Sequence, residues 1–118
     1  MEEWEIDFQW LKVRHTIKDI FGGDSLPDLR AILFLVGIQE LGAVQETFSK
    51  EEKQDLMHIA VCSILEGDGY YRYVGRDEDG WPHYEVEIPF KTKGTKAQEL
   101  ILKKGIIEYF KINQIKSV

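Results

Sequence analysis

The sequence predicts a mainly helical α+β fold with the element order α-α-α-β-β-α, and three observations carry that expectation. Apolar residues recur at helical spacing through the first 66 residues. The period then drops to two across residues 70–90, and it returns to a helical one from about residue 96. With 118 residues, 43% of them hydrophobic, the chain suits one compact soluble domain spanning 1–118. The length is enough to bury a core without disulfides or a structural metal.

In the first segment Ile6, Trp10, Val13, Ile17 and Ile20 follow one another at spacings of four, three, four and three, the signature of one helical face. A helix over about 3–21 follows, ended by Gly22-Gly23. Its start, from Trp4 to Trp10, also alternates with a period of two, so the first two turns are the less determined part.

Pro27, with Ser25 and Asp28 able to cap, opens a second helix over about 27–41. Residues 31–38 are apolar on every side, which marks a helix covered all round by its neighbours. At eight residues the run is far short of the ~20 that a membrane helix needs.

Ser49 with Glu52 three residues on forms a capping box and starts a third helix, to about Glu66. One half of it carries Leu56, Met57, Ala60, Val61, Ile64 and Leu65. The other carries Glu51, Asp55, His58, Cys62 and Glu66.

Two runs of period two, 70–74 and 83–90, flank the turn-rich 75–82 and predict a β-hairpin. Tyr84, Val86, Ile88 and Phe90 share one face and Glu85 and Glu87 the other, and Pro89 places the second strand at an edge or at its end. Thr95 with Gln98 suggests a second capping box, opening a last helix over 96–112 with Leu100, Ile101, Ile107 and Phe110 toward the core.

The net charge is −6, divided unevenly. Residues 91–118 hold seven lysines against Glu99 and Glu108, a balance of +5, so the first 90 residues stand at −11. The basic segment also carries apolar residues that need burial, so docking on the chain's own acidic body is the simpler expectation. The start of the chain is acidic where an export signal is basic, and the single cysteine, Cys62, has no partner for a disulfide. Both point to the cytoplasm.

Four residue groups are candidates for function. Tyr71, Tyr73, Trp81, His83 and Tyr84 give the hairpin an aromatic density typical of binding hot spots, and they are the expected partner-binding residues. The alternative for them is a face that only covers the helices. Asp55, His58 and Cys62, at spacings of three and four, place a carboxylate, an imidazole and a thiol on one helical face. His58 and Cys62 are weak metal candidates, because a zinc site needs further ligands from elsewhere, such as His15 or His83.

As a thiol enzyme the group meets an electrostatic objection, since the carboxylates on its own face oppose a thiolate. No catalytic residue and no cofactor is therefore assigned. Asp77-Glu78-Asp79-Gly80 is dense in oxygen but fails the register of a calcium loop: with Gly80 at the sixth position, Gly75 and Val86 fall at the first and twelfth.

The order of elements is similar to the winged-helix layout, with 49–66 as recognition helix and 76–82 as wing tip. Charge disfavours DNA as its ligand. Residues 49–66 carry −2, and the tip sets Asp77, Glu78 and Asp79 against Arg76. The reading that follows is a small non-enzymatic interaction or regulatory module, binding a protein partner through the hairpin or self-associating as a homodimer. A metal or thiol enzyme at Asp55, His58 and Cys62 is the first alternative, and a nucleic-acid binder the second.

Overall fold

The computed structural model describes residues 2–42, 45, 47–90 and 94–112, the side chain of Ile112 excepted. Helix α1 spans Glu3–Phe21, α2 Leu29–Leu41, α3 Lys50–Glu66 and α4 Thr95–Ile112, and strands β1 (Tyr71–Arg76) and β2 (Pro82–Val86) lie between α3 and α4. This is the α-α-α-β-β-α order expected. No described helix is long and apolar enough to cross a membrane. The chain forms two compact units, residues 1–29 with 92–118, and residues 30–91.

In the first unit α1 and α4 pack on each other. Ile6, Trp10 and Ile17 are buried on α1, at the helical spacing that the sequence shows, while Ile20 is exposed. On α4 Ile106 and Ile107 are the buried residues, and Leu100, Ile101 and Phe110 are half-buried. Lys103 of α4 sets its ammonium 5.7 Å from the centre of the Trp10 ring, a cation–π contact between the two helices. Arg14 Nε donates to the carbonyl of Pro27 at 2.8 Å, tying the segment after α1 back onto it. Pro27 thus lies ahead of α2, which begins at Leu29 instead of Pro27.

α4 also starts differently from the expectation. Thr95 is its first residue rather than its cap, and the Gln98 amide bonds to the Gly94 carbonyl. Glycine thus fills the capping position, so the Thr95–Gln98 spacing that resembles a capping box is out of register by one residue.

The second unit is built on two helices that meet almost backbone to backbone. A Cβ placed on Gly37 of α2 would lie 2.1 Å from the carbonyl oxygen of Leu56 on α3. Only a residue without a side chain permits that crossing. Ile32 and Val36 of α2 and Leu56, Ala60 and Leu65 of α3 are essentially inaccessible to solvent. Leu41, Leu56 and Ile59 form a core on which Phe34, Ile38, Phe48, Trp81 and Tyr84 pack. α3 begins with the full capping box: Ser49 Oγ accepts from the Glu52 amide at 3.1 Å and Glu52 Oε1 accepts from the Ser49 amide at 2.8 Å.

The hairpin lies over α3. Its strands are antiparallel, pairing Tyr71 with Val86, Arg72 with Glu85 and Tyr73 with Tyr84, and the register slips between Tyr73 and Gly75. Val74 is the extra residue of this bulge, and Gly75 supplies a φ of 124°, which a side chain would resist. The second strand is shorter than the sequence suggests. Pairing stops at Val86, and the amides of Glu87 and Ile88 both turn to the Tyr70 carbonyl. The chain bends there; Val86 (60%) and Ile88 (53%) are exposed, while Tyr84 and Phe90 of the same alternation are half-buried.

Arg76 fastens the hairpin to α2. Its Nη1 donates to the carbonyls of Leu41 (3.0 Å) and Gly80 (2.7 Å), and Nη2 to that of Glu40 (2.8 Å). A guanidinium there satisfies two of the carbonyls that a helix leaves without partners at its C-terminal end and complements the negative end of its dipole.

Candidate functional site

α3 and the hairpin enclose a cavity of about 350 Å³ lined by Asp55, His58, Ile59, Cys62, Asp77, Trp81, Pro82, His83 and Tyr84. Four of the lining residues come from one α3 face at steps of three, one and three, and five from the turn and β2. The structure therefore brings together Asp55, His58 and Cys62 with His83, a proximity that sequence spacing alone does not reveal. His15, the other histidine considered, is exposed on α1 in the first unit. Among the described residues no group of three or more histidine, cysteine, aspartate or glutamate side chains is arranged to hold a metal ion.

Two imidazoles in the cavity are held differently. His83 Nε2 lies 2.8 Å from Asp77 Oδ2. An ionised carboxylate only accepts, so Nε2 carries the hydrogen and Nδ1 is left as the acceptor in the neutral ring. Asp77 is itself fixed, its Oδ1 accepting from the amides of Asp79 (2.9 Å) and Trp81 (3.0 Å). The hydrogen bond from His83 foremost, then that from the Trp81 amide, holds the Asp77 carboxyl below its ordinary value. His58 Nε2 is 3.5 Å from Cys62 Sγ, and the Tyr71 ring meets His58 edge-on at 6.1 Å.

The sequence places Cys62 on a polar stripe, but it is 1% exposed. The hairpin covers this side of α3, which helical periodicity cannot anticipate. Burial pushes the thiol up to about 11. At neutral pH only about one part in ten thousand is then thiolate. The neutral thiol lies against His58 Nε2, and the couple lacks the electropositive setting that an activated cysteine needs.

Tyr84 shows the same effect, pushed up to about 12 by burial foremost. Ser63 Oγ donates to Glu40, a bond between α3 and α2.

The five aromatic or imidazole residues expected to bind a partner divide between two settings. Trp81 and Tyr84 pack on Leu41, Leu56 and Ile59. Tyr71 is half-buried against His58. Tyr73, 44% exposed, stacks edge-on with Tyr84 at 5.6 Å, and the His83 side chain is 59% exposed. The large apolar residues most open on this hairpin are Val74 (43%), Val86 and Ile88. Arg72 is held by Glu85 and Glu87 on the opposite face, the latter at 2.8 Å.

A further apolar surface lies on α1. Trp4 (69%), Phe8 (56%) and Leu11 (43%) are exposed along α1. Their spacings of four and three are the signal, obscured because the buried stripe of the same helix has the same period.

The acid response of the turn follows from Asp77. Its folded value lies below the ordinary 3.8, so ionisation favours the folded turn above that pH, and the contribution is lost as pH falls through the lowered value. Between pH 5 and pH 2 the amide NMR signals of Asp79 and Trp81 are expected to shift together with a midpoint below 3.8. Asp77→Asn should abolish that coupled step; an unchanged step in the variant would contradict the assignment.

Compared with protein-family models, curated proteins and solved structures, the chain has no match, so its functional reading rests on the residues themselves.

Proposed function

We propose that the chain is a small non-enzymatic protein-interaction module of the cytoplasm, whose hairpin in the second unit is the contact surface. One observation carries this reading. Among the described residues the sheet has only two strands, and around it Tyr73, Val74, Val86 and Ile88 are exposed. Each strand therefore has an edge without a strand neighbour, and an extended segment of a partner protein can add to it. Main-chain hydrogen bonds supply affinity in that mode, and the flanking apolar side chains supply selectivity.

The charges support a protein partner over nucleic acid. The guanidinium of Arg72 is already paired with Glu85 and Glu87, and that of Arg76 is bonded to backbone carbonyls. Duplex binding draws on lysine and arginine free to meet phosphates. The cytoplasmic setting rests on an unpaired cysteine.

The test is selection from a displayed library of extended peptides, with wild type and Val86→Lys/Ile88→Lys compared. Both positions are more than half exposed, so the variant should keep its melting temperature. Wild type is expected to enrich peptides of alternating apolar residues that the variant binds at least about tenfold more weakly. No enrichment, or equal binding by the variant, would overturn the reading.

The cavity favours a second reading, a small-molecule site. Its observation is the His83–Asp77 pair brought beside His58. It ranks below the first because the buried, protonated Cys62 offers no nucleophile.

A further inference from the structure

We propose that two copies of this chain associate through α1, in antiparallel register, along the Trp4–Phe8–Leu11 stripe. The inference concerns the first unit and is independent of the hairpin reading. At 100° per residue the three side chains fall within a sector of about 60°, on the side of the helix opposite Ile6, Trp10 and Ile17. The latter three are buried, whereas the stripe leaves Trp4 69%, Phe8 56% and Leu11 43% exposed. One helix thus has two apolar faces, and only one is covered.

The charges beside the open face argue for a second copy as its cover. Glu5 and Asp7 border the stripe in the N-terminal half, with Glu2 and Glu3 beyond them. Lys12 and Lys18 border it in the C-terminal half, where they outweigh Asp19, and Lys12 reaches to 5.7 Å from the centre of the Phe8 ring. The helix is therefore negative at one end of the stripe and positive at the other. An antiparallel copy meets it with the opposite sign at both ends, and a parallel copy repeats like against like.

A two-fold crossing between Phe8 and Leu11 sets Phe8 of one copy over Leu11 of the other. Glu5 and Lys12 share one flank of the stripe, and in this register Glu5 of each copy comes within about half a turn of Lys12 of the other, twice, as a closed isologous contact requires.

Sedimentation velocity across a concentration series tests this. Wild type is expected to show a reversible dimer that weakens with added salt. Phe8→Glu should be monomeric with an unchanged helical spectrum and melting temperature. Glu5→Lys and Lys12→Glu should each weaken the dimer about tenfold, and the double reversal should restore it, since it exchanges the two signs without removing the complementarity. A wild type that stays monomeric, a dimer indifferent to Phe8→Glu, or a double reversal no tighter than the single ones would overturn the proposal.

Discussion

Replacing Gly37 with alanine is expected to destabilise the second unit by about 2 kcal/mol or more, despite alanine's better helix propensity. The propensity gain is about 1 kcal/mol. Against it, the new methyl would stand 2.1 Å from the Leu56 carbonyl oxygen and 2.6 Å from its carbon, both backbone atoms that no rotamer change can move. The helices must separate, and Leu56 itself is fully buried, so the separation opens the core that Leu41, Leu56 and Ile59 share. Overpacking of a close-packed interior costs about 1–3 kcal/mol in ordinary cases and more where backbone has to shift. Thermal unfolding followed by circular dichroism should show a melting temperature lowered by about 8 °C or more. A variant as stable as wild type would contradict the close crossing of α2 and α3.

Trp81→Ala is the second large effect, expected at about 2–3 kcal/mol, below the 3–5 kcal/mol of a fully buried aromatic because the ring is only partly covered. Trp81 packs on the Leu41–Leu56–Ile59 core and its amide is one of the two that hold Asp77. Loss of the ring therefore loosens the attachment of the turn to the helices, and the cavity beside His58 widens with it. Urea unfolding should show a lower midpoint. This separates the roles within the hairpin: Trp81 anchors it, while Val86 and Ile88 are free to change without loss of stability. A Trp81→Ala midpoint equal to that of wild type would contradict the anchoring role.

The contrast also shows which parts of the fold are legible in the sequence. The capping box at Ser49 and Glu52 is a local device, complete within four residues, and it appears as expected. The α1 stripe of Ile6, Trp10 and Ile17 is similarly local in origin, because helical period and burial coincide.

Where distant elements decide, the sequence falls short. Cys62 belongs by angle to the polar side of α3, and the hairpin that follows the helix packs over that side, where the thiol is buried. Val86 and Ile88 keep the alternation of a strand, but alternation does not say which positions of a face are covered: both are exposed, and the ladder ends at Val86, after which the Glu87 and Ile88 amides share the Tyr70 carbonyl. Arg76 looks like one charge in a charged turn, and its bonds to the end of α2 span more than thirty residues. The joining of His83 to His58 in one cavity has the same long-range origin.

Contact through the hairpin is the central claim, and it concerns backbone as much as side chains. The most direct measurement is amide hydrogen exchange of the wild-type chain, alone and with a peptide selected on it. The account predicts that amides along one strand edge of Tyr71–Arg76 or Pro82–Val86, exchanging freely in the unbound chain, become protected when the peptide binds. Protection confined to the helices, or none within the hairpin, would contradict it.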